Sequence, residues 1–522
     1  MKKPLSLLVA LVLLLGLVGT AVAEEFTYPM DGTVEISINY AGENGDNVAK
    51  TAEEAFADPE KYLFNAVGVV SEAAGVYVYT NGVTFDSSAE GFQYMLLGGE
   101  LPDILVNAFH KTYNGGAAAA LEDGYIIDLT PYVDWMPNYM AYLEENPDVK
   151  MQVTTDDGKL WCFANVEDTT YSFKDRGIVL RKDILDALNL EVPTTFDEFE
   201  AVLYAVKEAY PDMIPFSSEM RWLYSQHMFA SLSNAYNCSY PFYCVDGENV
   251  EFAMFNENYK TFLQRIATWY KDGLIDPDFA SINKGGVRGK LANGEVFAAN
   301  QQSPNSATSA KSCTVEGAEF VAIPALVINE GDPVRNYSLS DMKVIHSCNF
   351  SVSSNCPEEK LEAVIRYLDF CFSQKGQELL SYGKEGVSFT KDENGNIIFP
   401  EVHVLSSDGV NELCKRTMWA GEITGGEYFV DEYEKPFVDV YANYDENAGV
   451  DLPRNDAENA VYSEYFGDLD TYCQEKIVGL VLGTESFDSW DSIVETCKSA
   501  YHADEVLAVL QSSYTRNMAN VK

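Results

Sequence analysis

Apolar positions along this chain fall into two rhythms that take turns. Short apolar runs at 34–38, 104–106, 178–180 and 296–299 have the length and composition of strands. Between them, apolar residues return at helical spacing. Phe199, Val202, Leu203 and Val206 form one stripe; Tyr259, Phe262, Leu263, Ile266 and Tyr270 form a second; Leu361, Val364, Ile365 and Leu368 form a third. Local chemistry marks the helix ends. Thr195, followed three residues later by Glu198, is a capping box: the hydroxyl accepts from the Glu198 amide and the carboxylate reaches back. Gly273 stops the second helix, and Pro357 suits the first turn of the third. Strands alternating with helices predict an α/β chain. From Tyr462 onward the pattern is helical, with Asp504 the expected cap of the last helix.

No internal repeat, low-complexity tract or Pro/Ser-rich linker interrupts this pattern. A chain of 522 residues is long for one core. Two lobes are expected, and without a linker the strands should cross between them more than once. The start of the chain reads as a secretory signal: Lys2 and Lys3, an apolar run over 5–18, then Ala21-Val22-Ala23, with cleavage expected before Glu24. The alternative is an uncleaved anchor. No later segment approaches the roughly 20 apolar residues of a membrane-spanning helix.

Charge and cysteine content narrow the function. With 35 Lys and Arg against 81 Asp and Glu, the formal charge is −46. Such a surface repels nucleic acid and anionic lipid, and it disfavours anionic ligands unless a local cation compensates. Of the ten cysteines, Cys238 and Cys244 bracket a short loop, as do Cys348 and Cys356, and both pairs could bridge. Cys371, Cys473 and Cys497 sit in helix-like stretches, where a thiol packs as a small hydrophobe. There is no C-x-x-C, H-E-x-x-H or G-x-S-x-G, and Lys284 breaks the approach to a P-loop at 285–290. His110, His227, His346, His403 and His502 lie far apart, without metal-ligand spacing. The 392–396 stretch resembles a calcium loop but lacks the distal Glu, and reads as a hairpin turn. No cofactor, metal or catalysis is therefore expected.

Four segments in order resemble the family 1 extracellular solute-binding proteins of ABC importers, in particular the long aldouronate- or oligosaccharide-binding branch. The first is Gly98-Gly99-Glu100-Leu101-Pro102-Asp103-Ile104-Leu105, followed by Gly124 to Pro131. The second runs from Gly177 to Leu185 and on through Leu190 to Phe199. The third is Tyr270 to Phe279 with Leu291 to Val296. The fourth is Ser353 to Glu358, then Gln374 to Leu380 and Tyr382 to Gly386. The resemblance implies a two-lobed fold like the type II periplasmic binding proteins, with lobe-crossing hinge strands and here a helical C-terminal extension. On the order of these segments, 24–165 plus 301–341 should form one lobe and 166–300 plus 342–522 the other. A monomer that binds a small ligand, an oligosaccharide above all, and docks on membrane permease subunits is implied. Gram-positive relatives carry a lipobox cysteine, whereas the first cysteine here is Cys162, so the protein should be released, periplasmic or held by its signal.

Sugars are captured by aromatic rings against their C–H faces and by polar groups at their hydroxyls, in a concave site. The resemblance places the walls just beyond lobe-crossing strands. Asn107, Phe109, His110 and Lys111 follow the Pro-Asp-Ile strand; Glu167 and Asp168 mark the first crossing. Glu219, Arg221, Trp222 and Tyr224 mix polar and aromatic groups in a loop, with Trp222 the expected stacking platform. Gln301 and Asn305 belong to an expected polar loop at the return crossing, and Trp419 is a further cleft candidate. Trp269 and Trp490 read as structural, and Lys111, Arg221 and Arg335 would matter for a uronate. A secreted glycoside hydrolase and a polysaccharide adhesin are the alternatives; turnover, or binding to insoluble polymer, would distinguish them.

Overall fold

The computed structural model describes residues 28–30, 32–39, 66–80, 89–99, 101–107, 109, 113, 115–166, 176–219, 232–337, 343, 345, 349–382, 385, 386, 389–395, 397, 398, 421, 422, 434–450 and 452–519. The signal-like segment lies outside them. The strands that position the site are β1 (Glu35–Ile38), β2 (Tyr77–Thr80), β3 (Ile104–Asn107), β4 (Asn165–Val166), β5 (Arg176–Arg181), β6 (Ile214–Ser217), β7 (Val296–Gln302), β8 (Phe320–Ile323), β9 (Asn349–Val352) and β10 (Gly421–Glu422). The helices are α1 (Gly116–Glu122), α2 (Pro137–Glu145), α3 (Pro147–Val153), α4 (Phe196–Ala209), α5 (Glu257–Lys271), α6 (Ser303–Lys311), α7 (Glu358–Phe370), α8 (Asp456–Leu482), α9 (Trp490–Ser499) and α10 (Ala503–Met518).

Two mixed sheets carry three cores, one with the first sheet and one on each face of the second. The first has the order β9-β3-β1-β2, parallel except for β9. The second has the order β8-β5-β7-β6, in which β5 runs antiparallel to both its neighbours. Side chains alternate across β5. Ile178 and Leu180 enter the large core, and Val179 enters the smaller one on the opposite face. A sheet buried on both faces needs the near-continuous apolar run that made this strand legible.

Expected helices form where their caps placed them. The Thr195 capping box is present, and α4 buries Phe199, Val202, Leu203 and Val206. α5 buries its stripe together with Trp269, whose ring stacks on Phe196 at 4.9 Å. Arg265 lies over the other aromatic contact at 4.7 Å from Phe196 and pairs with Glu200 at 2.8 Å, tying α5 to α4. Trp490 is also buried. Pro357 is the residue before α7 rather than its first turn. Asp504 lies in the first turn of α10, where it favours the helix dipole, while His502 takes the cap position. The helical C-terminal region packs its Leu469, Ile477, Leu480 and Leu510 into the core of the second sheet.

The strand pairing after residue 300 runs opposite to the expected division. β8 hydrogen-bonds to β5, so 320–323 belongs with the second lobe. β9 hydrogen-bonds to β3, so 349–352 returns to the first. The 301–305 stretch is likewise no loop: β7 continues through Gln302, and α6 begins at Ser303 with Pro304 in its first turn. Pairing of Gln301 with Gly177 and of Gln302 with Arg176 of β5 keeps these polar residues in the strand. Cys238 and Cys244 are unbridged; Cys238 faces the Ser233 carbonyl and Cys244 the Asp246 carboxylate. Cys356 is also a free thiol, and Cys348 lies outside the described residues. Strands 390–391 and 397–398 pair antiparallel, giving the hairpin read from 392–396.

A relay of hydrogen bonds fixes the chain as it approaches the other lobe. The Asp369 carboxylate accepts from Tyr139 N (2.8 Å) and Asn138 Nδ2 (2.7 Å), supplying partners to the first turn of α2. The Tyr139 hydroxyl then donates to the Cys162 carbonyl (2.9 Å) and accepts from Ala164 N (3.0 Å). Burial pushes the Asp369 carboxyl up to about 6. Because that lies above the unfolded carboxylate value, the native state binds the extra proton between about pH 4 and 6. The stability Asp369 contributes is therefore fullest below that window and falls as pH rises through it. Asp369→Asn should lose this dependence: denaturant melts of wild type minus variant should decline by on the order of 2–3 kcal/mol from pH 4 to 6.5. A flat difference would mean that Asp369 ionises as freely as in the unfolded chain.

Candidate ligand cleft

The lobes are joined where three passages of the chain lie side by side. Val166 in β4 pairs with Glu422 in β10 and bridges to Ile345. The chain passes from 166 to the second lobe at 176, returns between 337 and 345, and passes again between 422 and 434. Gln152 holds the middle passage as a strand neighbour would. Its side-chain carbonyl accepts from Ile345 N (3.0 Å), and its amide donates to the Lys343 carbonyl (2.7 Å). The Asp148 carboxylate accepts from Lys343 N at 2.9 Å. Trp161 donates its indole N–H to the Gln152 carbonyl at 3.1 Å, which fixes the end of α3.

Beside this junction lies a cavity of about 250 Å³. The first lobe contributes Ala117 from α1, the end of α3, the 154–156 turn and Trp161. The second contributes 453–456 and Asn459 at the start of α8, and Arg516 of α10. Asn455 builds that second wall. It caps α8 through its side chain, with Glu458 completing a capping box. Asp456 and Asn459 are thereby turned toward the first lobe. The lobes touch here: Asp156 N donates to Asp456 Oδ2 at 3.3 Å. Gly116, at φ +73°, lies so near Asn459 that a Cβ would come within 2.5 Å of its Nδ2.

The lining is polar and nearly charge-balanced. Arg516 donates to Glu458 (2.6 Å) and to the Pro453 carbonyl (2.9 Å). The Arg454 guanidinium lies 3.8 Å from the Tyr462 ring centroid. Burial raises the Asp456 carboxyl above its ordinary value, helped by the neighbouring Asp156 charge. Asn459 Oδ1 and Arg516 Nε are among the polar atoms of this wall that are buried without a hydrogen-bond partner. One accepts and the other donates, so a hydroxyl group could satisfy either. Among the described residues, no group of three or more His, Cys, Asp or Glu could hold a metal ion.

The residues expected from sequence are placed unevenly. Phe109 is fully buried in the first lobe's core, its ring 5.9 Å from that of Tyr113. It has no face for a ligand. Asn107 ends β3, paired with Asn349 of β9. Glu219 is buried beyond the end of β6. Gln301 is buried in β7 opposite Gly177, and half-buried Asn305 lies in α6. None of these lines the 250 Å³ cavity. Arg335 is committed to Glu446 (2.8 Å) and Asn237 (2.6 Å) rather than to a ligand. His110, Lys111, Glu167, Asp168, Arg221, Trp222, Tyr224 and Trp419 lie outside the described residues. Helical spacing becomes evident in the sequence only from Tyr462, whereas α8 begins at Asp456, so the wall at 453–459 is not among the expected site residues. The Asn455…Glu458 capping pair, two residues after Pro453, is the signal that could have found it.

Known proteins agree with this architecture. A family model for bacterial extracellular solute-binding proteins matches residues 64–393. A fructooligosaccharide ABC transporter substrate-binding protein of Streptococcus pneumoniae, FusA, is 30% identical over 205 residues. That match spans 34% of this chain and only 36% of the relative's length. Among solved structures, an alginate-binding protein aligns over 94% of this chain and 100% of its own, with TM-score 0.71 and 20% identity. FusA bound to kestose aligns over 93% and 99%, with TM-score 0.69 and 19% identity. A solute-binding protein from Bifidobacterium longum subsp. infantis aligns over 94% and 100%, with TM-score 0.67 and 18% identity. The two sheets, the triple crossing and the family match lead to one conclusion: the chain belongs to the bacterial extracellular solute-binding proteins.

Proposed function

We propose that this protein is the substrate-binding component of an ABC importer, capturing a neutral oligosaccharide between its lobes and delivering it to membrane permease subunits. The observation that carries this reading is the interlobe cavity with Asn459 Oδ1 and Arg516 Nε buried and unpaired. A sugar hydroxyl both donates and accepts, and so can meet both needs. The charge pattern favours a neutral ligand over an acidic one: Arg516 is already matched by Glu458, and Asp156 and Asp456 face each other across the cleft. A chain of net charge −46 adds long-range repulsion for anions. The pneumococcal relative's substrate class and the implied permease extend this to a family role outside the cytoplasm. The signal peptide, cleaved before Glu24, would take the protein there. The reading includes no catalytic step.

Three measurements test it. Calorimetry of the purified protein against neutral oligosaccharides, including kestose, and against uronate oligomers should give saturable binding to a neutral sugar without turnover. Asn459→Ala should weaken that binding about tenfold, the cost of roughly 1.4 kcal/mol expected for a buried hydrogen bond. Binding confined to uronates, or release of shortened sugars, would sink the reading.

Closure can be probed at the lobe contact. Gly116→Ala and Gly124→Ala both place a side chain at positive φ, at a cost of about 1 kcal/mol. Only the first meets the opposite lobe; Gly124 has nothing within 4 Å. Small-angle scattering should therefore show an enlarged radius of gyration with saturating sugar for Gly116→Ala alone. We further propose Trp222 as a stacking ring of the same site. Trp222→Ala should cost on the order of 1–3 kcal/mol of affinity with the denaturant melt preserved. A collapsed melt with normal binding by the remaining folded protein would make it a core residue.

A further inference from the structure

Two sulfurs of the C-terminal helices are in contact with each other. Cys473 in the middle of α8 and Cys497 in α9 face each other with 3.5 Å between Sγ atoms. Both side chains are fully buried, in the core that joins the C-terminal helices to the second lobe. The other buried thiols have different neighbours: Cys238 and Cys371 contact carbonyl oxygens and Cys244 a carboxylate. A disulfide needs its sulfurs about 2.05 Å apart, so closing this contact takes about 1.5 Å, within reach of side-chain rotation. The residues are 24 apart in sequence, and the intervening turn already brings α8 and α9 together.

We propose that Cys473 and Cys497 are a modification site, oxidised to a disulfide in the exported protein and clamping α8 to α9. The thiolate of one cysteine attacks the disulfide of an extracytoplasmic oxidant, a protein or small-molecule disulfide, and expels one of its thiolates. The second cysteine attacks the resulting mixed disulfide and expels the other. Two S–H bonds are lost and one S–S bond forms; two protons leave, and two electrons reduce the oxidant to its dithiol. Because neither sulfur is exposed, the reaction belongs to the stage when the helices are still apart, after export and before packing is complete. The bond would hold α8, which carries Asn455, Asp456 and Asn459 into the cleft, to the lobe behind it.

The test uses full-length exported protein purified without reductant. Alkylation in denaturant, followed by peptide mapping, should find Cys473 and Cys497 cross-linked and two hydrogens lighter in mass than after reduction. Reduction should then lower the thermal midpoint by several degrees, and Cys473→Ala/Cys497→Ala should show no such response. Quantitative alkylation of both residues, even after refolding from the reduced, denatured state in oxidised glutathione, would overturn the proposal. So would either cysteine being mapped to a different partner. Mapping on the wild-type chain decides the matter even if the double variant fails to fold.

Discussion

Everything in this molecule is arranged around the requirement that one chain pass between two lobes three times at a single place. Val166 is the centre of that place, flanked by Ile345 on one side and by Glu422 on the other. Backbone polar groups brought inside a protein must find partners. The chain meets this demand with a strand pair and with the Gln152 amide, which answers both Ile345 N and the Lys343 carbonyl. The same glutamine lines the cavity, and its own carbonyl is held by Trp161. The geometry of the crossing and the geometry of the ligand wall are therefore one problem. Lobes joined by several short adjacent passages can rotate about them as rigid bodies, the motion by which binding proteins enclose ligands.

Much of this architecture was legible from local signals. The capping box at Thr195, the stripe from Tyr259 to Ile266 and the apolar run at 178–180 each depend on neighbours a few residues away, and each formed as read. The four family-like segments carried the two-lobed fold. What local signals could not specify was partnership. The strand at 320–323 and the strand at 349–352 look alike as short runs, yet one pairs with β5 and the other with β3. That choice depends on contacts more than one hundred residues away, and no period in the sequence encodes it. Phe109 shows the same limit at the site. A ring just beyond a strand end can face the cleft or fold back, and the tilted contact with Tyr113 lies on the buried side.

The surface and the interior treat charge differently. An excess of carboxylates faces solvent, where water and salt screen it. Where charged groups go inside, they arrive with partners: Asp276 meets Lys290 at 2.9 Å and Ser217 at 2.7 Å, and Arg181 meets Asp183. Asp276 is fully buried, so removing Lys290 would strand a charge that costs several kcal/mol to bury alone. The cleft wall combines such pairing with open valences. Asn459 and Arg516 keep unpaired polar atoms there, as expected of a wall whose partners come from elsewhere.

The return of β9 to the first sheet also sets the order in which the protein can be made. β3 is an incomplete edge until Asn349 to Val352 arrive, and the second lobe's sheet must by then have taken up β8. A chain emerging amino-terminus first cannot complete its leading lobe while the trailing half is still being synthesised or translocated. Some 350 residues must be made before β3 gains its last neighbour, so the first core closes late. The same topology means that no cut between the lobes yields a whole first lobe, since each is assembled from separate stretches of one thread. Discontinuity thus ties the closing of each lobe to the arrival of the other's strands.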